Sequence, residues 1–220
     1  MGFTVVTGAN RGIGLELTRQ LSARGDAVVA VCRKRSVELD KLGVRVEAGI
    51  DVSDATSIAE LAQRLAGVEI GVLVNNAGIL RRESLDGLDF GGVEEQFAVN
   101  ALGPLRVTAA LLPLLRNGAK VAIVTSRMGS IADNGSGGYY GYRMSKAAVN
   151  AAGKSLARDL AGRGIAVALL HPGMVATEMT GGHGIPPADA AAGVLAQIDT
   201  LTLDASGRFT HAGTGEELPW

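Results

Sequence analysis

Three tyrosines lie close together, at Tyr139, Tyr140 and Tyr142, and the last of them is followed four residues later by Lys146. Residues i and i+4 of a helix share one face, so this phenol and ammonium can converge on one ligand. Reduction of a carbonyl needs a proton for the developing alkoxide. A tyrosine with a pKa of about 10 is rarely ionised near neutrality, and a nearby cation lowers that pKa. The pair predicts Tyr142 as general acid in reduction and base in oxidation, tuned by Lys146.

A second chemical pattern follows the first strand-like run, in the string Thr7-Gly8-Ala9-Asn10-Arg11-Gly12-Ile13-Gly14 before an amphipathic helix. Glycines spaced G-x-x-x-G-x-G allow a tight turn, close approach of backbone to a pyrophosphate, and a phosphate at a helix N-terminus. The same turn could also serve only to join strand and helix. The dinucleotide interpretation assigns cofactor contacts to Gly8, Asn10, Arg11, Gly12, Ile13 and Gly14.

The second strand-like run ends at Cys32, Arg33 and Lys34, without an acidic residue. Enzymes that select NAD usually place an acid here for the ribose 2′-hydroxyl. Guanidinium groups are suited to a 2′-phosphate, which Arg11 and Arg33 would clamp through forked hydrogen bonds. The alternative is that Arg33 and Lys34 form a solvated loop. Because no acid competes, the sequence favours NADP(H).

Short β-branched runs alternate with longer helical patterns along the chain. This alternation predicts right-handed crossovers and an α/β doubly wound Rossmann fold, with a parallel sheet of six or seven strands and helices on both faces. In such a sheet, ligands bind beyond the carboxyl ends of the strands. Predicted strands are Phe3–Thr7, Ala27–Cys32, Val44–Ala48, Ile70–Asn75, Ala119–Thr125, Ile165–Leu170 and a possible Arg208–His211. Predicted helices are Gly12–Ala23, Ala55–Leu65, Val93–Leu115, Tyr142–Ala161 and a weaker Ala188–Leu201.

Composition narrows the class of protein. The 220 residues fit a single domain, 1–220, and the 31 glycines follow no collagen-like period. A net charge of −1 without charge blocks argues against nucleic acid or a membrane as partner. One cysteine, no signal-like start and no apolar run near the roughly 18 residues that span a bilayer predict a cytoplasmic protein. Three scattered histidines give no metal spacing, so we expect no metal, and the lone loop residue His183 has no assigned role.

The glycine string resembles the T-G-x-x-x-G-x-G motif of the single-domain members of the short-chain dehydrogenase/reductase family. The resemblance covers nearly the whole chain and implies a catalytic tetrad of Asn100, Ser126, Tyr142 and Lys146. It implies that Ser126 hydrogen-bonds the substrate oxygen, with Thr125 and Ser130 as rivals further from the strand end. It also implies that the Asn100 backbone carbonyl holds a water linked to Lys146, and that Lys146 binds the nicotinamide ribose.

Further cofactor contacts are implied by the same resemblance. Asp51 and Val52 would wrap the adenine, although Asp51 and Ser53 are equally candidates to cap the next helix. The string Asn75-Asn76-Ala77-Gly78 would support the central sheet beside the cofactor. A Pro-Gly turn would present backbone and a threonine to the nicotinamide. The residues so implied are Asp51, Val52, Asn76, Ala77, Gly78, Tyr142, Lys146, Pro172, Gly173, Val175 and Thr177.

Within the family, the segments around Ser126–Ile131 and Ser136–Arg143 are similar to C-factor-like proteins and sniffer-type carbonyl reductases. This implies an NADPH-dependent reductase of ketones or aldehydes. The alternatives are a reductase dedicated to one substrate, such as a 3-oxoacyl thioester, or an NADP-binding signalling protein. A short substrate loop near 178–188 predicts an open pocket. The family also implies a homodimer or homotetramer through the two long helices, although helices buried on a sheet would look similar.

Overall fold

Seven parallel strands form the single sheet of the computed structural model, which describes residues 2–220. The strand order is β3-β2-β1-β4-β5-β6-β7, and every neighbouring pair is parallel. The chain reverses direction across the sheet between β1 and β4, which confirms the doubly wound Rossmann fold. The strands are β1 (Phe3–Thr7), β2 (Val28–Cys32), β3 (Arg45–Ala48), β4 (Ile70–Asn75), β5 (Leu115–Val124), β6 (Ala166–His171) and β7 (Phe209–His211).

Helices cover both faces of the sheet and divide the core in two. Apolar side chains of α1 and α7 pack on one face, and those of α3, α5 and α6 pack on the other. The central strands are therefore buried on both faces; all five residues of β2 are buried, as its Val-rich sequence predicts. The helices are α1 (Gly12–Ala23), α2 (Val37–Asp40), α3 (Ala55–Arg64), α4 (Phe90–Phe97), α5 (Gly103–Leu111), α6 (Tyr140–Asp159) and α7 (Pro187–Thr200).

The predicted helix Val93–Leu115 differs most from the structure. It begins earlier, at Phe90, and a π-helical turn at Ala98–Leu102 separates α4 from α5. Its predicted last residue, Leu115, is instead the first residue of β5 and pairs with Ile70 of β4. Amphipathic periodicity does not distinguish α from π hydrogen bonding, and an apolar leucine suits either a helix end or a buried strand.

The stretch Phe90–Leu114 is 25 residues long and contains an 18-residue window with a mean hydropathy of 1.4, so length and composition alone would allow it to cross a membrane. It carries Glu94, Glu95 and Arg106, and 44% of the apolar window is buried inside the fold. Its buried face packs on α3, α6 and the sheet. We therefore assign it as a core helix of the domain.

One short helix, α2, is absent from the sequence prediction. Ser36 caps it by accepting a hydrogen bond from the Leu39 N–H at 3.2 Å, and its hydroxyl donates to the Asn10 carbonyl at 2.7 Å. Four residues are too few for a detectable period, so the cap is the only local signal. Through Ser36, α2 is tied to the glycine loop after β1.

Candidate active site

Tyr142 and Lys146 lie on one face of α6, as their spacing predicts, and both are buried, with 8% and 5% of their surfaces exposed. The Lys146 Nζ lies 5.7 Å from the centroid of the Tyr142 ring. It also donates a hydrogen bond to the Val124 carbonyl at 3.0 Å, at the end of β5. Tyr142 and Lys146 thus lie between α6 and the carboxyl end of the central sheet.

Burial, rather than charge, dominates the protonation of this pair. It raises the pKa of Tyr142 above its usual value, and a hydrogen bond with Ser126 opposes that rise. Burial also lowers the pKa of Lys146 to about 8. The sequence-based expectation that Lys146 would lower the pKa of Tyr142 is therefore not met in this structure, because residue spacing carries no information on burial. The phenol is protonated at neutral pH and is ready to donate.

Ser126 lies two residues beyond the end of β5, next to Tyr142. Its Oγ accepts a hydrogen bond from the Met128 N–H at 3.1 Å and caps a short 3₁₀ turn. Its two rivals have other partners: Thr125 donates to the Asn150 Oδ1 at 2.7 Å, and the Ser130 Oγ accepts from the Asp133 N–H at 3.1 Å. The structure brings Ser126, and not its rivals, to the phenol.

Asn100 lies within the π-helical turn, a feature that often marks functional sites in helices. Its side chain accepts from the Ile79 N–H at 2.9 Å and donates to the Ile79 carbonyl at 2.8 Å. It also donates to the Ser145 Oγ at 3.1 Å, beside Lys146. The side chain therefore braces the segment after β4 against α6, a role that the sequence did not reveal.

The glycine loop after β1 has a backbone shape that residues other than glycine rarely adopt. Gly8 and Gly12 have positive φ values of 67° and 55°, in the left-handed region that favours glycine. A Cβ on Gly14 would collide with the Gly8 carbonyl oxygen. Arg11 precedes α1 without capping it by a side-chain hydrogen bond, so the first-turn N–H groups face the loop. Asn10 and Ile13 lie in the same turn.

The segment after β4 supports this loop from below. The Thr7 Oγ1 accepts hydrogen bonds from the N–H groups of Asn76 and Ala77, at 3.0 and 3.1 Å. The Asn76 side chain donates to the carbonyls of Thr7 and Gly8, at 3.0 and 3.3 Å. A Cβ on Gly78 would lie 3.7 Å from the Lys146 Nζ, so glycine here leaves room beside the lysine. The two loops form one cradle.

The two arginines assigned to a 2′-phosphate have other partners in the structure. Arg33 lies 3.6 Å from the Asp51 carboxylate, whereas Arg11 pairs with Glu178, which follows β6. Both guanidinium groups are exposed at the rim of the cradle, and neither is held by a buried contact. Glu178 lies 167 residues from Arg11 in the sequence, so no local signal could reveal the pair.

Asp51 is held by the residue two positions later. It accepts hydrogen bonds from the Ser53 N–H at 2.8 Å and the Ser53 hydroxyl at 2.6 Å. Burial acts to raise the pKa of Asp51, but these bonds and Arg33 outweigh it and hold that pKa below its usual value. The cap of α3 is Asp54, so neither Asp51 nor Ser53 is the helix cap that the sequence allowed. The adjacent Val52 is buried beside Gly103.

The turn after β6 closes the opposite side of the cradle. Pro172 leads into Gly173, which has a φ of 88°, and the buried Val175 pairs with Ile185. A Cβ on Gly12 would lie 3.3 Å from the Thr177 side chain, which places the predicted nicotinamide turn against the glycine loop.

The predicted substrate loop, 178–188, contains one 3₁₀ turn, Glu178–Thr180, and its last two residues are the first of α7. Ile185 pairs with Met174 and Ala176 of the turn that precedes the loop. Thr177 and Thr180 form a reciprocal capping box that the sequence analysis missed. The spacing of a threonine and a second threonine three residues later was its only signal.

Two histidines at the ends of β6 and β7 are in contact. The His171 and His211 rings pack edge to face, with centroids 5.2 Å apart. Burial lowers the pKa of His171 to about 4, with the neighbouring His211 and Arg127 adding to the effect. Within residues 2–220, no group of three or more histidine, cysteine or acidic side chains is arranged to hold a metal ion.

Residues 3–184 match the short chain dehydrogenase family. The whole chain is 45% identical to the whole of 1-hydroxy-2-glutathionyl-2-methyl-3-butene dehydrogenase from a Rhodococcus species. It is 50% identical to C-signal of Myxococcus xanthus over 69% of this chain and 93% of that protein.

Two solved structures superpose on the entire chain. Carbonyl reductase Sniffer of D. melanogaster aligns with a TM-score of 0.93 at 29% identity and is covered completely. The NADPH-bound carbonyl reductase from chicken fatty liver aligns with a TM-score of 0.90 at 29% identity, over 99% of its length. The narrower resemblance to C-factor-like and sniffer-type proteins is thereby confirmed. From its glycine cradle to its Tyr142–Lys146 pair, the chain belongs to the short chain dehydrogenase family.

Proposed function

We propose that the protein is an NADP(H)-dependent oxidoreductase that reduces ketones or aldehydes to alcohols. The observation that carries this proposal is the buried, protonated Tyr142, which interacts with Ser126 and lies beside Lys146. This group stands at the carboxyl ends of the central strands, where ligands of doubly wound sheets bind. The solved carbonyl reductases that superpose on the chain, one of them bound to NADPH, support the same activity.

The cradle fits a phosphorylated dinucleotide. Gly8, Gly12 and Gly14 leave space that a Cβ would fill, next to a helix N-terminus that favours a pyrophosphate. The second strand ends at the buried Cys32, without an acid for a ribose 2′-hydroxyl, and the exposed Arg33 follows it. When bound, this cofactor supplies the hydride. Arg33, joined by Arg11 if it leaves Glu178, would hold the 2′-phosphate, and the segments at Asp51–Val52 and Pro172–Thr177 would flank the adenine and nicotinamide.

The chain's own residues would manage the proton and the developing negative charge. Tyr142 would donate its phenolic proton to the oxygen of the substrate, and the Ser126 hydroxyl would hold that oxygen in place. The resulting phenolate would lie beside Lys146, whose ammonium stabilises it. Asn100 would keep the lysine's helix at a fixed distance from the segment after β4 through its bonds to Ile79 and Ser145.

The relatives that this chain resembles support two other functions. The relative from Rhodococcus is named for one glutathionyl alcohol, which supports an enzyme dedicated to a single substrate. The 50% identity to C-signal supports an NADP-binding signalling protein. The complete set of Asn100, Ser126, Tyr142 and Lys146 favours catalysis, because cofactor binding alone needs no hydroxyl pair of Ser126 and Tyr142.

The test follows NADPH absorbance with a panel of ketones and aldehydes for the wild type, Tyr142→Phe and the matched control Tyr140→Phe. We expect wild-type turnover, a loss of at least about 100-fold in Tyr142→Phe, and little change in the control, whose side chain is partly exposed. NADPH binding, measured by fluorescence, should persist in both variants. A wild type that binds NADPH but reduces no carbonyl would favour the signalling function.

We also infer a homodimer or homotetramer in the cytoplasm. Apolar side chains on the outer faces of α4, α5 and α6 are exposed, which an interface would cover; they are Phe90, Phe97, Leu105 and Met144. The test is the molar mass in solution by light scattering, for the wild type and Phe97→Asp. A wild type of 22.5 kDa at all concentrations would contradict the inference.

A further inference from the structure

A buried carboxylate lies against the first turn of the catalytic helix, outside the group of residues that the reaction uses. Glu83 follows β4, is 8% exposed, and accepts a hydrogen bond through Oε1 from the Gln96 side chain. Its other oxygen, Oε2, is buried and has no hydrogen-bond partner within residues 2–220. Burying a carboxylate with one oxygen unpaired is unfavourable, so this arrangement needs a compensating reason.

Gln96 is locked in one orientation and presents its amide N–H group to Glu83. Its Oε1 accepts a hydrogen bond from the Arg81 N–H at 2.8 Å, so the opposite side of the amide must be the NH₂. That NH₂ also donates to the Gly92 carbonyl at 3.3 Å. Gln96 is completely buried. The carboxylate is therefore held by a fixed donor on α4 and has little freedom to turn away.

The opposite wall of this buried cluster is the start of α6. The Glu83 carbonyl accepts a hydrogen bond from the Tyr139 N–H at 3.1 Å. Tyr139 has a φ of 53° and is the only residue other than glycine with a positive φ in residues 2–220. It caps α6 without a side-chain hydrogen bond. The turn that starts the helix is thus strained and relies on contacts from outside the helix.

Gly141 allows the close approach of the two walls. A Cβ at this position would lie 2.5 Å from the Gln96 Nε2 and 2.9 Å from the Glu83 Oε1. The carboxylate therefore lies against the first turn of α6, where free N–H groups and the helix dipole favour negative charge. Tyr142 is the next residue along that turn.

We propose that Glu83 is a positioning residue, which with Gln96 holds the first turn of α6 and so places the Tyr142 hydroxyl for proton transfer. The proposal rests on the function proposed above for Tyr142. Lys146 and Ser145 lie one turn further on and have their own anchors, at Val124 and Asn100. Loss of the carboxylate should therefore release the tyrosine while the lysine and the cofactor cradle stay in place.

The decisive variant is Glu83→Gln, which keeps the shape of the side chain but removes its negative charge next to the first turn of α6. The matched control is Glu95→Gln, on the same helix as Gln96, which removes an exposed carboxylate paired with Arg81. We expect kcat of Glu83→Gln to fall about tenfold or more, since small misplacements of a reacting group are costly. KM and the NADPH dissociation constant of Glu83→Gln should stay within about twofold of the wild type. The kcat of the control Glu95→Gln should also stay within about twofold of the wild type.

A second measurement does not depend on turnover. Hydrogen exchange of the cofactor-free protein should be about tenfold faster in Glu83→Gln at the amides of Tyr139 and Arg143, which are hydrogen-bonded in the first turn, and unchanged at 151–157 later in α6. Unchanged kcat and exchange would overturn the proposal. Equal losses in kcat and NADPH affinity, with a lower melting temperature, would also overturn it by showing a general structural role. If the wild type reduces no carbonyl, the proposed function fails. The exchange pattern still tests whether Glu83 and Gln96 stabilise the first turn of α6.

Discussion

Replacement of Lys146 by methionine should stabilise the cofactor-free protein at neutral pH while removing a residue that the proposed reaction needs. Lys146 is buried, and its ammonium has one hydrogen bond, to the Val124 carbonyl. Burial lowers its pKa from 10.5 to about 8, so the fold disfavours the charged form. Methionine has nearly the same length and carries no charge, and therefore avoids this penalty.

The size of the effect follows from the two pKa values. They differ by about 2.5 pH units, and each unit corresponds to about 1.4 kcal/mol, which gives about 3 kcal/mol against the folded state. The lost hydrogen bond to Val124 offsets about 1–2 kcal/mol of the gain. At pH 7, we expect the free energy of unfolding of Lys146→Met to exceed that of the wild type by about 1–2 kcal/mol.

The pH dependence distinguishes this cause from better packing. Below about pH 8 the lysine is protonated in both states, so the penalty is fully present. Between about 8 and 10.5 the unfolded chain binds the proton more often than the folded protein, so the stability of the wild type rises relative to the variant. The advantage of Lys146→Met should therefore shrink steadily from pH 8 to pH 10.

The assay is urea unfolding of both proteins without cofactor at pH 7, 8, 9 and 10, with the slope against urea concentration checked for constancy. An advantage that stays the same at every pH would refute the electrostatic reasoning, as would a variant less stable than the wild type at pH 7. In parallel, turnover of a carbonyl substrate should fall to the level of Tyr142→Phe.

Two further predictions concern the cofactor and the sheet. Arg33→Ser should lower kcat/KM for NADPH by about 10- to 100-fold relative to NADH, because a charge-assisted partner of the 2′-phosphate is lost. The variant Lys34→Ser, at the neighbouring residue, serves as control. Equal losses of kcat/KM with both cofactors would contradict the assignment of Arg33 to the 2′-phosphate. Gly153→Ala should lower the free energy of unfolding by about 1–3 kcal/mol, since its Cβ would lie 2.5 Å from the Leu169 side chain. Gly162→Ala, which meets nothing within 4 Å, should leave stability nearly unchanged, and a matching loss there would show that packing is not the cause.

The strands and most helices of this fold were predictable because their signals are local. Buried parallel strands need continuous apolar runs such as Val28–Cys32, and the glycines after β1 have a conformation that few residues share. The prediction of α6 as Tyr142–Ala161 is close to the observed Tyr140–Asp159. The helix starts earlier because Glu83 and Tyr139 define its first turn from a distant segment.

The sequence predicted which residues lie near one another in the candidate site, but not the electrostatics of that site. The i and i+4 spacing correctly places Tyr142 and Lys146 on one face, yet their pKa values depend on burial by segments far along the chain. In the same way, the pairing of Arg11 with Glu178 and the brace formed by Asn100 arise from long-range contacts. A sequence motif specifies which groups meet, whereas the surrounding fold sets their charge and their partners.

Burial shifts the two members of the catalytic pair in opposite directions, and both shifts favour the neutral forms. A protonated phenol is what reduction needs, so the rise in the pKa of Tyr142 favours the proton donor. A lysine with a pKa of about 8 keeps its proton only weakly, until negative charge forms nearby. In the proposed reaction, proton donation by Tyr142 would create such a charge as a phenolate, which would raise the affinity of Lys146 for its proton. The two residues would therefore titrate as one coupled pair. The attraction between the ammonium of Lys146 and the phenolate of Tyr142 would be strongest as the phenolic proton leaves, which is when stabilisation lowers the barrier to reduction most.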